Sequence, residues 1–261
     1  MRRSSPTQPY EIAKNHRVDL GLVSDPRLTL SRLADSLERM LTPEQRQAAT
    51  DRVARLAQRA EADAELRRRT NESREDSIPA PLSAFTSRLA KKLSPSVIVF
   101  DEALTQSGEL TGYLLPRQPG SYFQLRGGSL GLAFPGAIGI QLAHPDRQVI
   151  SFCGDGGAMY TCQALWTAAH CGTPVKFIVC NNRSYRLLKL NLEEYWTERG
   201  DAPHAFPACF DIAGPEMDFV RLAESAGVPG ERVMRTPEMD DAIDRALAAD
   251  GPYLIEVVTA A

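Results

Sequence analysis

Residues 152–161 read FCGDGGAMYT and residues 180–185 read CNNRSY, so one apolar run ends in a carboxylate set among glycines and another ends in paired asparagines. Glycines let a backbone turn sharply and approach a ligand closely, and the first amides of a following helix suit a phosphate. A lone carboxylate, Asp155, among phosphate-binding amides makes electrostatic sense when a divalent cation lies between it and the phosphates. Mg²⁺ takes oxygen ligands in an octahedron, commonly one or two protein side chains plus phosphate oxygens and water. Asn182 offers a neutral amide oxygen for that shell, and the Arg183-Ser184 loop offers a backbone carbonyl. Asp101 and Glu102 close a third apolar run, so three polar tips are expected to meet. Taken singly, the glycine stretch also reads as a plain turn and the asparagines as a strand end. A dinucleotide site is a competing reading, but GDGGAM lacks the glycine spacing of that fingerprint and no ribose-binding acid follows a suitable strand.

The elements that must carry these tips are short and alternate. SVIVF (96–100), QVISFC (148–153), VKFIVC (175–180) and YLIEVV (253–258) are Val- and Ile-rich runs of the kind that form buried parallel strands. Helical patterns fall between and around them at 82–93, 131–143, 159–171, 217–226 and 238–249. This order predicts an α/β fold, a doubly wound and mostly parallel sheet with helices on both faces, whose ligands bind at the carboxyl ends of the strands. Upstream, Asp25-Pro26 opens a helix over 26–41 with Leu28, Leu30, Leu33 and Leu37 at helical spacing. A second, charge-rich helix over 43–70 has only a thin apolar stripe, and its interspersed acids favour a salt-bridged surface over a nucleic-acid one. The polar segment NESREDSIPAP (71–81) reads as a linker, which gives three regions: 1–41, 42–78 and 79–261.

The bulk composition narrows the function classes. A formal net charge of -3 gives no electrostatic case for nucleic acid, and no apolar run is long enough to cross a bilayer. The basic start MRRSSPTQPYEI lacks the apolar core of a secretory signal, so a cytoplasmic location is expected. Cys153, Cys162, Cys171 and Cys180 recur every nine residues, which invites a metal site. With Cys162 and Cys171 two and a half turns apart on one helix they point to opposite faces, and free thiols are expected instead.

The glycine-aspartate-glycine strand end, the 24 residues from Gly157 to Cys180, and the asparagine pair together resemble the cofactor motif of thiamine diphosphate enzymes. More narrowly, the stretch RGGSLGLAFPGAIGIQLAHPDRQVISFCGDGGAMYTCQALWTAAHCGTPVKFIVCNNRSYRLLK resembles the carboxyl-terminal domain of the benzoylformate decarboxylase and acetolactate synthase group, from about residue 79 to the end. The resemblance implies thiamine diphosphate and Mg²⁺ as cofactors and a small 2-oxo acid as substrate. It implies that Asp155, Asn182 and the Ser184 backbone oxygen hold the metal, with Gly154, Gly156, Gly157, Ala158 and Tyr185 around the diphosphate. Thr105 falls where relatives contact the diphosphate from the other side, and Gly128 and Ser129 where a backbone group meets the aminopyrimidine. Leu130 matches the bulky residue that bends the cofactor so that its pyrimidine amino group lies beside the reactive thiazolium carbon. Leu187, Leu188 and Asn191 match a substrate-lining position.

Members of this group activate the pyrimidine with a glutamate from a second domain, and the resemblance supplies no counterpart in this sequence. The segment PYEIAKNHRVDLGLVSDPRLTLSRLADSL resembles the last strand and helix of the family's central domain. The expectation is therefore a diphosphate-binding half with no activating catalytic residue of its own. The pyrimidine domain would come from a partner subunit or a second copy, since the family builds its site across a subunit interface, or from missing sequence. A non-catalytic or truncated thiamine diphosphate-binding protein is the alternative.

Overall fold

The computed structural model describes residues 12, 14–116, 118–125 and 128–260, in two compact units that divide between Asp63 and Ala64. The first unit holds helix α1 (Pro26–Met40) and the opening of α2 (Pro43–Glu72). Asp25 caps α1 by accepting the Leu28 N–H at 3.0 Å, as a residue in extended conformation before a helix should. The expected strand within 1–41 falls partly on residues 1–11 and 13, which lie outside the described residues; residues 14–25 are irregular.

The second unit is the α/β domain. Along the chain it contains α3 (Leu82–Lys92), β1 (Ile98–Glu102), α4 (Ser107–Thr111), β2 (Tyr122–Gln124), α5 (Ala133–Ala143) and β3 (Val149–Gly154). There follow α6 (Asp155–Thr161), α7 (Ala164–His170), β4 (Lys176–Asn181), α8 (Arg186–Arg199), α9 (Phe219–Ser225), β5 (Gly230–Val233), α10 (Thr236–Ala248) and β6 (Tyr253–Val258). The six strands form one sheet in the order β2-β1-β3-β4-β6-β5, and every pairing is parallel. The doubly wound fold read from the sequence is the one the chain adopts.

The pleat sends successive side chains to opposite faces. Ile150, Phe152, Ile178, Cys180, Ile255 and Val257 face a core built with α3, α4 and α10. Val149, Cys153, Phe177, Val179 and Leu254 face a second core built with α5, α7 and α9, where Phe134 packs edge-on against Phe177 at 5.0 Å. Each such buried apolar side chain contributes about 1.5–3 kcal/mol relative to exposure. The chain leaves β1 toward β2 on one side and returns to β3 on the other, so a crevice opens at the carboxyl ends of β1 and β3.

The helix expected over 159–171 is two helices. It starts four residues earlier, at Asp155, and breaks at Cys162-Gln163. Cys162 thus lies between α6 and α7, and Cys171 lies just past α7, rather than on one continuous helix. Among the described residues no helix is long and apolar enough to cross a membrane.

Candidate functional site

At the crevice three strand tips meet around a cleft of about 620 Å³. Thr105, Gly128, Leu130, Gly154, Asp155, Gly156, Gly157, Asn182, Ser184, Tyr185, Leu187 and Leu188 all line it. Three residues singled out from the sequence do not. Ala158 is fully buried behind the first turn of α6, while Ser129 and Asn191 are exposed away from the lining. Leu104, Leu125, Tyr160 and Arg186 line the cleft without having been expected there. Tyr160 sits four residues after Gly156 on α6, a spacing that could have revealed it.

The β3 tip is held tightly. Asp155 begins α6 and is only 4% exposed; one carboxylate oxygen accepts the Gly156 N–H at 2.8 Å and the other the Arg183 N–H at 2.6 Å. Burial pushes its pKa up to about 6, against the pull of these amides. No side-chain cation pairs with it among the described residues. Glycine at 156 is required by space, because a Cβ there would lie 2.4 Å from the Tyr185 ring.

The β4 tip folds back through two side-chain caps. The Asn181 Oδ1 accepts the Arg183 N–H at 3.1 Å and the Asn182 Oδ1 accepts the Ser184 N–H at 3.0 Å. The turn forces Arg183 to φ +58°, an uncommon state for a residue with a side chain. Ser184 then bridges to Asp211; the flanking bonds, Tyr185 N–H to the Phe210 carbonyl and Ile212 N–H to the Arg183 carbonyl, leave the Ser184 carbonyl out of the pairing.

The β1 tip carries two buried acids of different use. Asp101 is saturated by Ala103 N–H, Ser107 Oγ, Tyr122 OH and Gln124 Nε2 at 2.8–2.9 Å, which ties β2 to β1 and turns the chain through Leu104 at φ +52° toward Thr105. Glu102 faces the loop before α5, accepting from Gly131 and Ala133 amides; burial raises its pKa although those amides oppose the rise.

The model for the thiamine pyrophosphate enzyme C-terminal TPP-binding domain matches residues 106–257, which span β2 through most of β6 together with all of the cleft's β3 and β4 tips. The chain belongs to this family. Benzoylformate decarboxylase of Pseudomonas aeruginosa is 42% identical over 55% of this chain and 25% of its own length. The acetolactate synthase large subunit of Parasynechococcus marenigrum is 28% identical over 95% of this chain and 38% of its own. Among solved structures, the thiamine diphosphate-dependent 4-hydroxybenzoylformate decarboxylase of Rhodococcus jostii RHA1 superposes with a TM-score of 0.62 at 35% identity, covering 70% of this chain and 33% of that one. This thiamine diphosphate-binding domain is thus of the type found in acetolactate synthase and benzoylformate decarboxylase relatives. The chain spans between about a fifth and two fifths of the length of the curated relatives it matches.

Proposed function

We propose that the cleft holds thiamine diphosphate through Mg²⁺, and that this chain acts as the diphosphate-binding half of a 2-oxo acid decarboxylase or carboligase. The observation that carries the metal is Asp155, a buried carboxylate with two amide donors and no side-chain counter-charge. An anion held in that way suits a cation beside it. The donors around it are hard oxygens: the carboxylate, the Asn182 amide oxygen with a lone pair left, and the Ser184 carbonyl outside the β-bridge. That set suits Mg²⁺ better than a soft metal.

The neighbouring residues divide the remaining work. Gly156 and Gly157 bring amides at the start of α6 close to the diphosphate, and Thr105 approaches from the β1 side. Gly128 and Leu130, which also line the cleft, would hold the pyrimidine side of the cofactor. Bound there, the cofactor would supply the electron sink for breaking or making a bond next to a 2-oxo acid carbonyl. Leu187 and Leu188 would exclude water from the substrate side of the cleft. The group that activates the pyrimidine would come from a pyrimidine domain in a partner subunit, a second copy or further sequence. We place the protein in the cytoplasm.

Titration calorimetry of thiamine diphosphate into the purified chain tests the assignment. Binding is expected to need Mg²⁺ and to be abolished by Asp155→Ala, and an affinity untouched by that substitution would sink it.

A further inference from the structure

We propose that Glu102 is a positioning residue that fixes the distance between the two ends of the cofactor cradle, an inference resting on the reading of the cleft given above. Glu102 closes β1, is 1% exposed and follows the buried acid Asp101 in the strand. Its Oε1 accepts the Gly131 N–H at 2.5 Å and its Oε2 accepts the Ala133 N–H at 2.6 Å. Backbone amides, not a basic side chain, surround it. A carboxylate buried without a counter-ion is expensive, and an apolar side chain would fill the space at lower cost. Both of its oxygens are spent on one short segment, which immediately follows Gly128 and Leu130.

That segment is fastened from the other side as well. The Gly131 carbonyl accepts the Thr161 hydroxyl at 2.7 Å, and Thr161 ends α6, the helix that opens with Asp155, Gly156 and Gly157. Gly131 has φ +80°, and a Cβ there would meet the Tyr160 Cβ at 2.6 Å. A Cβ on Gly157 would lie 2.8 Å from Glu102 Oε1, so the carboxylate is wedged directly behind the diphosphate turn. The same carboxylate thus holds the loop that follows Leu130 and, through Oε1, packs against the turn bearing Gly157. Changing Glu102 moves the bend-forcing surface relative to the phosphate anchor while leaving the anchor's own donors in place.

Two ligands separate the ends: thiamine diphosphate needs both, and inorganic pyrophosphate with Mg²⁺ needs the anchor alone. In Glu102→Gln an amide NH₂ faces one of the two N–H donors, so that donor loses its acceptor. Affinity for thiamine diphosphate is expected to fall about 10- to 100-fold, by analogy with the loss of groups that orient the ligands of a metal. Affinity for pyrophosphate should fall clearly less, because the Gly156 and Gly157 amides are not partners of the Glu102 carboxylate. Glu102→Asp keeps both acceptors one methylene short and is expected to show the same split, should the glutamine variant not fold. In the unmodified protein, the Gly131 and Ala133 amides should be protected from hydrogen exchange, and one of them should lose that protection in Glu102→Gln. Equal losses for both ligands, no loss for either, or unchanged exchange of both amides in the variant would overturn the proposal. If the unmodified chain binds no thiamine diphosphate at all, the cofactor reading itself fails and the positioning role goes with it, a result distinguishable because no variant is involved.

Discussion

Asp155 is the residue whose burial has the clearest cost. Its pKa in the folded chain stands near 6, above the ordinary 3.8, so the folded form holds its proton at pH values where the unfolded form has lost it. Stability therefore decreases as pH rises through this interval, and the full penalty, on the order of 3 kcal/mol, is present above pH 6. The ligand-free chain should be harder to unfold with urea at pH 5 than at pH 7. Glu102 and Glu256 are shifted in the same direction, so the contribution of Asp155 is the difference between the unmodified protein and Asp155→Asn. Saturating Mg²⁺ and thiamine diphosphate should shrink or reverse that difference, because they bind the ionised form. Parallel pH profiles for the two proteins would contradict the assignment. The meeting of Asp155, Gly156 and Asn182 in one cleft was legible in the sequence because each stands at the end of an apolar strand run. Leu104 and Arg183 were not, since a positive φ at a residue with a side chain is imposed by tertiary bonds that the local sequence does not announce. Glu102 was visible only as a polar tip, because its partners are backbone amides whose position depends on the fold.

At the scale of elements, the β4 tip is braced across two further strands. The Asn181 Nδ2 donates to Glu256 Oε1 at 2.6 Å on β6, and Arg232 Nε on edge strand β5 donates to Glu256 Oε2 at 3.0 Å. The Glu256 side chain is fully buried whereas that of Arg232 is 34% exposed, so the two halves of the pair are not equivalent. Removing the guanidinium strands a carboxylate in the core, whereas removing the charge from Glu256 leaves an arginine that water can reach. Arg232→Met is expected to cost about 1–3 kcal/mol, below the usual 3–5 for breaking a buried pair because Asn181 stays bonded. Glu256→Gln should cost less, and urea unfolding that gave the opposite order would refute the account. The charges that make this brace also hid β5 from the sequence, since Gly-Glu-Arg-Val has no apolar run. Strand β2 was hidden by its three-residue length. Helix α8 has its apolar residues, among them Leu187, Leu188, Leu190, Leu192 and Trp196, spread over much of its circumference rather than on one narrow stripe, which hides it from pattern reading. The four long strands were legible because each is buried on both faces and reads as a continuous apolar run. The break at Cys162-Gln163 was not, because nothing in those two residue types stops a helix.

At the scale of the whole molecule, the decisive feature is the division of chemistry implied by the cleft. Among its described lining residues Asp155 is the sole acid, and both of its oxygens already accept amides at the proposed metal position. Proton transfer at the pyrimidine needs a separate group within hydrogen-bond reach of the ring. Besides apolar Leu104, Leu125, Leu130, Leu187 and Leu188, the lining offers Tyr160, Tyr185 and Arg186 but no second carboxylate. The chain should therefore bind and orient the cofactor yet turn over 2-oxo acids only with a complementary pyrimidine domain. Binding alone would still register in the folding equilibrium, with about 2.7 kcal/mol of added stability at a ligand concentration 100 times Kd. In the decisive experiment the purified chain receives Mg²⁺, thiamine diphosphate and benzoylformate or pyruvate, and loss of the 2-oxo acid is followed with and without a pyrimidine domain taken from a relative. The expected result is cofactor binding in both mixtures and turnover only in the second. Full turnover by the chain alone would refute the divided site, and binding that no pyrimidine domain converts into turnover would make this a binding protein in place of half an enzyme.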